Sequence, residues 1–214
     1  MVRIHVRLIW TLIFLFTLCS VHGAGAGPPT DQLREGVDRV SRILKDPELA
    51  GVKRANERGA AISAAADQIF DFAETAKRSL GQHWAPRTPA EREDFVRLFA
   101  ELVHRTYVSK VDQFNSEMTF RGETVEGDHA VVRTTLLLSK GGEMSLDYLM
   151  HHPGDRWQVY DLNIDGISLV ANYRAQFNKI IRTSSYEALV TTLRSRQVEF
   201  SGPAAAASGA KPAR

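Results

Sequence analysis

Asp147 and Asp161 are the side chains best suited by type and neighbourhood to acid–base chemistry. Each stands on a strand-like segment among large apolar residues, where burial raises a carboxyl pKa. Asp147 beside Tyr148 would set a base next to a hydrogen-bond donor, as a small isomerase or hydrolase needs. The opposing reading pairs each aspartate with a nearby arginine, such as Arg133 or Arg156, on an outer sheet face. Alternation favours it, since Asp147 falls opposite the face carrying Met144, Leu146, Tyr148 and Met150. Metal chemistry finds less support. His83, His104, His129, His151 and His152 form no His-x-x-x-His pair. Neighbours on a strand point to opposite faces, so His151 and His152 cannot hold one ion. The chain has no Gly-x-Ser-x-Gly, P-loop or dinucleotide fingerprint. These residues assign no catalytic group, no metal and no cofactor, and the expectation is a protein that is not an enzyme.

The apolar residues say more. In residues 157–181, Trp157, Val159 and Asp161 take one face of an extended strand, and Tyr160, Leu162 and Ile164 the other. Both faces carry large groups, so the strand is expected to be covered on both sides. After Gly166 the spacing becomes helical, through Leu169, Val170, Tyr173, Phe177, Ile180 and Ile181. Periodicity alone leaves these residues as either a filled core or the wall of an apolar cavity, and base rates favour the core.

The elements that position them run helices, strands, helices. A first helix is predicted at 31–45, with Leu33, Val37, Val40 and Leu44 on one face, ended by Asp46-Pro47. A second is predicted at 56–80, with Ile62, Ala65, Ala66, Ile69, Ala73, Ala76 and Leu80 in its stripe and Gly81 after its end. A long third runs from Pro89 to about Phe114, started by Thr88, Pro89 and Glu91 in capping-box order. Its broad face carries Phe95, Phe99, Val103 and Val111. Strands follow at 117–125, 129–139, 143–151 and 156–164, separated by Glu126-Gly127-Asp128, Gly141-Gly142 and Pro153-Gly154-Asp155. Such short turns make an antiparallel meander. Leu136, Leu137 and Leu138 in succession suggest a second strand buried on both sides. Helices at 167–182 and 185–197 close the domain, the last capped by Ser184 with Glu187. Helices from both chain ends around a curved four-stranded antiparallel sheet define an α+β fold, of cystatin-like or NTF2-like general shape.

Both termini stand apart. Arg3, His5 and Arg7, the apolar run Leu8–Cys19 and Ala24-Gly25-Ala26 read as a secretory signal peptide over 1–26. Val21-His22-Gly23 is a second possible cleavage site, and an uncleaved anchor is the rival reading, disfavoured by the short apolar run. Leu18 before Cys19 argues against lipidation of that cysteine. Removing 1–26 takes Arg3 and Arg7 and no acid, which balances basic against acidic residues at 25 each and removes the single cysteine. A neutral chain without thiols excludes disulfides and lacks the concentrated basic face of a nucleic-acid binder. Arg78, Arg87, Arg92, Arg97, Arg105 and Lys110 lie around the long helix, interspersed with Glu91, Glu93 and Asp94, as on a solvated face. Residues 27–200 form one domain, and 201–214, rich in Ala, Gly and Pro, a disordered tail.

The segment YDLNIDGISLVANYRAQF resembles the signature of the MlaC family, also called the toluene-tolerance family. RSLGQHWAPRTPAEREDFVRLFAELVHRTYVSKV, residues 78–111, is similar to a second part of the family pattern, and the likeness extends over about 30–198. The resemblance implies a periplasmic phospholipid-binding component of an ABC lipid-transport system. It implies an apolar cavity between sheet and helices, with acyl chains inside and the headgroup in water. On that reading the lipid-binding residues are Phe95, Phe99 and Val103 from the long helix and Met144, Leu146 and Tyr148 from the third strand. The fourth strand adds Tyr160, Leu162 and Ile164, and the junction Ile167, Leu169, Val170 and Tyr173. The implied partners are an outer-membrane lipoprotein complex and an inner-membrane ABC transporter with its membrane-anchored substrate-capture subunit, the carrier itself acting as a monomer. A carrier of another lipid, such as a hopanoid, and a small periplasmic isomerase or hydrolase using Asp147 or Asp161 stand as alternatives.

Overall fold

Alternation along the central strands sets the architecture. In β2 (His129–Leu137), Ala130, Val132, Thr134 and Leu136 are buried. In β3 (Glu143–His151), Leu146, Tyr148 and Met150 are buried. β1 (Met118–Glu126) and β4 (Gln158–Ile164) flank them, and a two-residue β5 (Ile167–Ser168) completes an antiparallel sheet in the order β1-β2-β3-β4-β5. The computed structural model describes residues 28–107, 118–138, 141–195, 200 and 202. The proposed leader 1–26, Lys110, Val111 and Phe114 of the long helix, and nearly all of the proposed tail lie outside the described residues.

The helices are α1 (Pro28–Lys45), α2 (Ala55–Ala66), α3 (Phe72–Leu80), α4 (Pro89–Tyr107), α5 (Leu169–Thr183) and α6 (Tyr186–Ser195). Among the described residues no helix is long and apolar enough to cross a membrane. α1 lies across β1 and β2, while α3 and α5 pack against β4. The start of α1 is pinned to the sheet: Thr30 donates to Glu123 Oε2 from its backbone N–H at 3.0 Å and its hydroxyl at 2.6 Å. Gln32 Oε1 accepts from the Trp157 N–H at 2.9 Å.

Several sequence expectations need correction. The predicted helix over 56–80 is two helices. Between them Phe70 pairs with Val159 as an isolated parallel bridge, with Asp71 N–H donating to Val159 O and Val159 N–H to Ile69 O, both at 2.9 Å. Asp71 then caps α3 by accepting from the Glu74 N–H at 2.9 Å. The sheet is five-stranded, because Asp165-Gly166 makes a two-residue hairpin turn before α5. Leu137 is 51% exposed, so β2 is buried on one face only. The cap of α6 is Ser185, whose hydroxyl accepts from the Ala188 N–H at 3.1 Å, while Ser184 ends α5.

Two predictions belong to this frame. Gly36 faces Ile69 so closely that an added Cβ would lie 2.5 Å from Ile69 Cγ1. Alanine favours a helix over glycine by about 1 kcal/mol, but overpacking costs about 1–3 kcal/mol. Gly36→Ala is therefore expected to lower the melting temperature, and Ile69→Ala in that background to cost less than Ile69→Ala alone. Additive losses in thermal melts would contradict the contact.

The start of α4 supplies the second. Glu91 Oε2 accepts from the Thr88 N–H at 2.7 Å and the Thr88 hydroxyl at 2.9 Å. The hydrogen bond from the Thr88 backbone, then that from its hydroxyl, holds the Glu91 carboxyl below its ordinary value. A depressed folded-state pKa contributes stability above the unfolded value and loses it as pH falls through the folded one. Glu91→Gln should lower the melting temperature at pH 7, with the gap to wild type narrowing below about pH 4.5. A gap that stays constant with pH would show that the carboxylate charge is not involved.

Candidate functional site

The site begins at the β4–α5 junction. Asp165 (φ 49°) and Gly166 (φ 81°) both occupy the left-handed region, as a two-residue hairpin between Ile164 and Ile167 requires. Asp165 Oδ1 accepts from the Ser145 N–H at 2.9 Å, tying the turn to β3. Ser168 caps α5 by accepting from the Ala171 N–H at 2.9 Å and donates its hydroxyl to Asp161 Oδ2 at 2.6 Å. Asp161 Oδ1 accepts from the N–H groups of Leu162 at 2.8 Å and Val170 at 3.0 Å. Asp161 is thus a buried carboxylate satisfied by three donors, and it locks the first turn of α5 to β4. This replaces the expected pairing of Asp161 with an arginine. Asp147 lies in register with Arg133 across β2–β3, and Arg133 Nη1 donates to Thr124 Oγ1 at 2.9 Å.

The candidate residues sort into two apolar clusters. Phe95, Phe99, Leu169 and Tyr173 are buried in a helical cluster built from α3 to α6, with Val103 packed against it. Phe99 meets Tyr173 edge-on at 5.5 Å and Phe177 at 6.1 Å. Leu146, Tyr148 and Ile164 are buried in a sheet cluster with Leu33 of α1, and Met144 packs against it. Leu162 and Tyr107 pack against both clusters and mark the seam between them. Tyr107 was missed by the sequence reading, although its i+4 spacing from Val103 places it on the same helical stripe.

Three candidates fall elsewhere. Val170 is buried outside both clusters, and Ile167 is half-buried in the hairpin. Tyr160 takes the face opposite to Leu162 and Ile164, correcting the expected alternation. A bulge shifts the register between Leu149 and Met150, so Asp161 pairs with Leu149 and Val159 with Met150. The Tyr160 ring then meets His151 at 5.5 Å, His129 at 6.0 Å and the Arg78 guanidinium at 4.1 Å. His151 Nε2 lies 3.0 Å from Asp71 Oδ2, and His152 packs on Trp157. Among the described residues no three metal-ligating side chains converge.

The seam carries polar atoms. The hydroxyls of Tyr107 and Tyr173 are buried and, among the described residues, make no hydrogen bond of normal geometry. Burial pushes both phenols up, and the Tyr173 hydroxyl adds to the shift at Tyr107. Burial alone pushes Tyr148 up. All three are therefore protonated donors at neutral pH. The C-terminal segment meets this end of the fold: Phe200 packs edge-on against Phe177 at 5.4 Å, and Gly202 leaves no room for a Cβ beside the Tyr107 hydroxyl. A separate shallow hollow lies beside α1, with Gln32, Arg39, Ile69, Met150, Arg156 and Trp157 in its walls, and none of the candidate residues lines it.

The arginines around the long helix are engaged. Arg78 pairs with Glu74 at 2.8 Å, Arg87 with Glu91 at 3.3 Å, and Arg97 with Asp94 at 2.6 Å and Glu101 at 2.8 Å. Arg92 donates to Ala85 O at 2.9 Å and lies over Trp84. The long helix thus presents ion pairs between its own turns.

Comparison with known proteins converges on one family. A family model described as MlaC protein matches residues 34–195. A curated relative, the intermembrane phospholipid transport system binding protein MlaC of Haemophilus influenzae, is 22% identical over 120 residues, which cover 53% of this chain and 56% of that protein's length. Among solved structures, a phospholipid-binding protein from Ralstonia solanacearum in complex with a phospholipid matches with a TM-score of 0.66 and 26% identity, covering 79% of this chain and 97% of that one.

Proposed function

Because this chain belongs to the MlaC family, we propose that it binds a phospholipid, with the acyl chains inserted at the seam between its two apolar clusters. The observation that carries this reading is the seam itself: Leu162 and Tyr107 bridge the clusters, so moving the helical cluster from the sheet would open an apolar slot. Each methylene that leaves water contributes about 0.8 kcal/mol, so a long acyl chain offsets the cost of parting the two clusters. The solved phospholipid complex of a similar fold supports the same class of ligand. Phe95, Phe99, Val103, Leu169 and Tyr173 form one wall and Met144, Leu146, Tyr148 and Ile164 the other, with Leu162 between them.

In this proposal the protein is a periplasmic carrier, exported by a cleaved leader. It shuttles phospholipid between an outer-membrane lipoprotein complex and an inner-membrane ABC transporter with its membrane-anchored capture subunit. The mechanism is sequestration without covalent chemistry. The headgroup stays in water because burying an unpaired charge costs several kcal/mol. Asp161 fits no chemical step, since its oxygens are occupied by the α5 lock. The test is transfer of a labelled phospholipid from donor to acceptor vesicles by the purified protein without ATP. Transfer that rises with protein concentration is expected, and a rate equal to the protein-free control would contradict carriage.

A further inference from the structure

We infer that the hydroxyls of Tyr107 and Tyr173 donate hydrogen bonds to the ester carbonyl oxygens of a bound diacyl glycerophospholipid, so that the site selects ester-linked over ether-linked chains. The inference rests on the proposed phospholipid site and specifies which atoms of the ligand the protein recognises.

Among the described residues, two donors lack a hydrogen-bond partner of normal geometry where the helical and sheet clusters meet. Tyr173 is fully buried, between Phe99 edge-on and Phe177 stacked at 5.6 Å. Tyr107 closes α4 and packs against both clusters. Each hydroxyl oxygen is buried, and among the described residues neither has a hydrogen-bond partner of normal geometry. A buried hydroxyl without a partner destabilises the protein that carries it, so two at one seam ask what pairs with them. The neighbouring Thr106 hydroxyl donates to Leu102 O at 2.8 Å and keeps its lone pairs, but it lies near Tyr173 without forming a hydrogen bond of normal geometry to that phenol. The two phenols face one another, yet a bond from one to the other would still leave a proton without an acceptor. The phenols are donors at all physiological pH values because burial raises them. A ligand for this place must be apolar on either side and bring acceptors without donors of its own. The two ester carbonyls of a diacyl glycerophospholipid have that chemistry. They stand where acyl chains meet glycerol, at the boundary between the part that must be dry and the part that must be wet. An ether oxygen is a poorer acceptor, and a sterol-like or hopanoid skeleton brings no pair of carbonyls.

The experiment loads the purified full chain from vesicles of diester phosphatidylglycerol and, separately, of its di-O-alkyl analogue, and measures lipid bound per protein. A net neutral hydrogen bond corresponds to a factor of about threefold to tenfold, so wild type should retain several-fold more diester lipid. Tyr107→Phe and Tyr173→Phe should each bring the diester-to-diether ratio towards one. The same variants should melt, when empty, at or above the wild-type temperature, because each loses an unsatisfied buried hydroxyl. Lower diester retention with equal or higher empty-state stability is a pair of changes that a packing role would not produce. An equal diester and diether load in wild type would overturn the inference and leave phospholipid carriage standing. Phe variants that keep the wild-type ratio would overturn it as well. A wild type that takes up neither lipid would overturn both.

Discussion

Asp161→Ala is expected to lower the melting temperature by about 10 °C. The carboxylate accepts from Leu162 N–H, Val170 N–H and Ser168 Oγ, and it is 8% exposed. Alanine leaves all three donors facing a dry space, and a buried unsatisfied donor costs about 1–3 kcal/mol. A total near 4 kcal/mol corresponds to about 8–16 °C in a domain of this size. Asp161→Asn should cost much less. Its amide oxygen can keep both backbone donors, which already share Oδ1, and its NH₂ can donate to Ser168 Oγ. Thermal melts of the two variants separate a lock from an ordinary surface acid: an alanine variant as stable as wild type would refute the lock. The asparagine variant also separates lock from catalyst. It should still carry lipid, and lost transfer with folding and lipid binding intact would return a chemical role to Asp161.

The second large effect is on binding. Leu162→Glu should reduce bound lipid at least about tenfold while leaving a folded protein. Leu162 is half-buried and packs against both clusters. With the seam closed but partly exposed, a glutamate there can keep water. With acyl chains in place it is desolvated, at a cost of several kcal/mol or the equivalent cost of protonation. Ile167→Glu, in the hairpin beside the seam, should also impair lipid binding more than folding, but less than Leu162→Glu. Lipid extraction and thermal melts on both variants read the difference. Normal lipid content in folded Leu162→Glu would place the chains elsewhere.

Much of this architecture was legible because local chemistry decided it. Thr88, Pro89 and Glu91 start α4 in both readings, and turns at Gly127 and Gly154 delimit strands found within two residues of their expected ends. The errors share a different cause. The break between α2 and α3 depends on Phe70 pairing with Val159, a contact between segments far apart in sequence. Tyr160 changed face because a bulge breaks the two-residue period, and parity along a strand carries no sign of that. The β5 hairpin, by contrast, was written in Asp165-Gly166, a strong two-residue turn signal overshadowed by the helical stripe after it. The apolar stripes that the proposal uses as walls were legible as stripes. Their division into two clusters was not, because each stripe pairs with residues from elsewhere in the chain. The role of Asp161 was not visible: a helix predicted from 167 hid the Ser168 cap, and the carboxylate that accepts the Ser168 hydrogen bond lies seven residues earlier on another element.

The central claim is that the seam holds a phospholipid, and the most direct measurement is mass spectrometry of lipid extracted from protein purified natively from the cells that make it. The account predicts about one glycerophospholipid per protein, with ester-linked chains, and a lipid-poor Leu162→Glu variant prepared in parallel. Protein that yields no lipid, even after incubation with phospholipid vesicles, would contradict it.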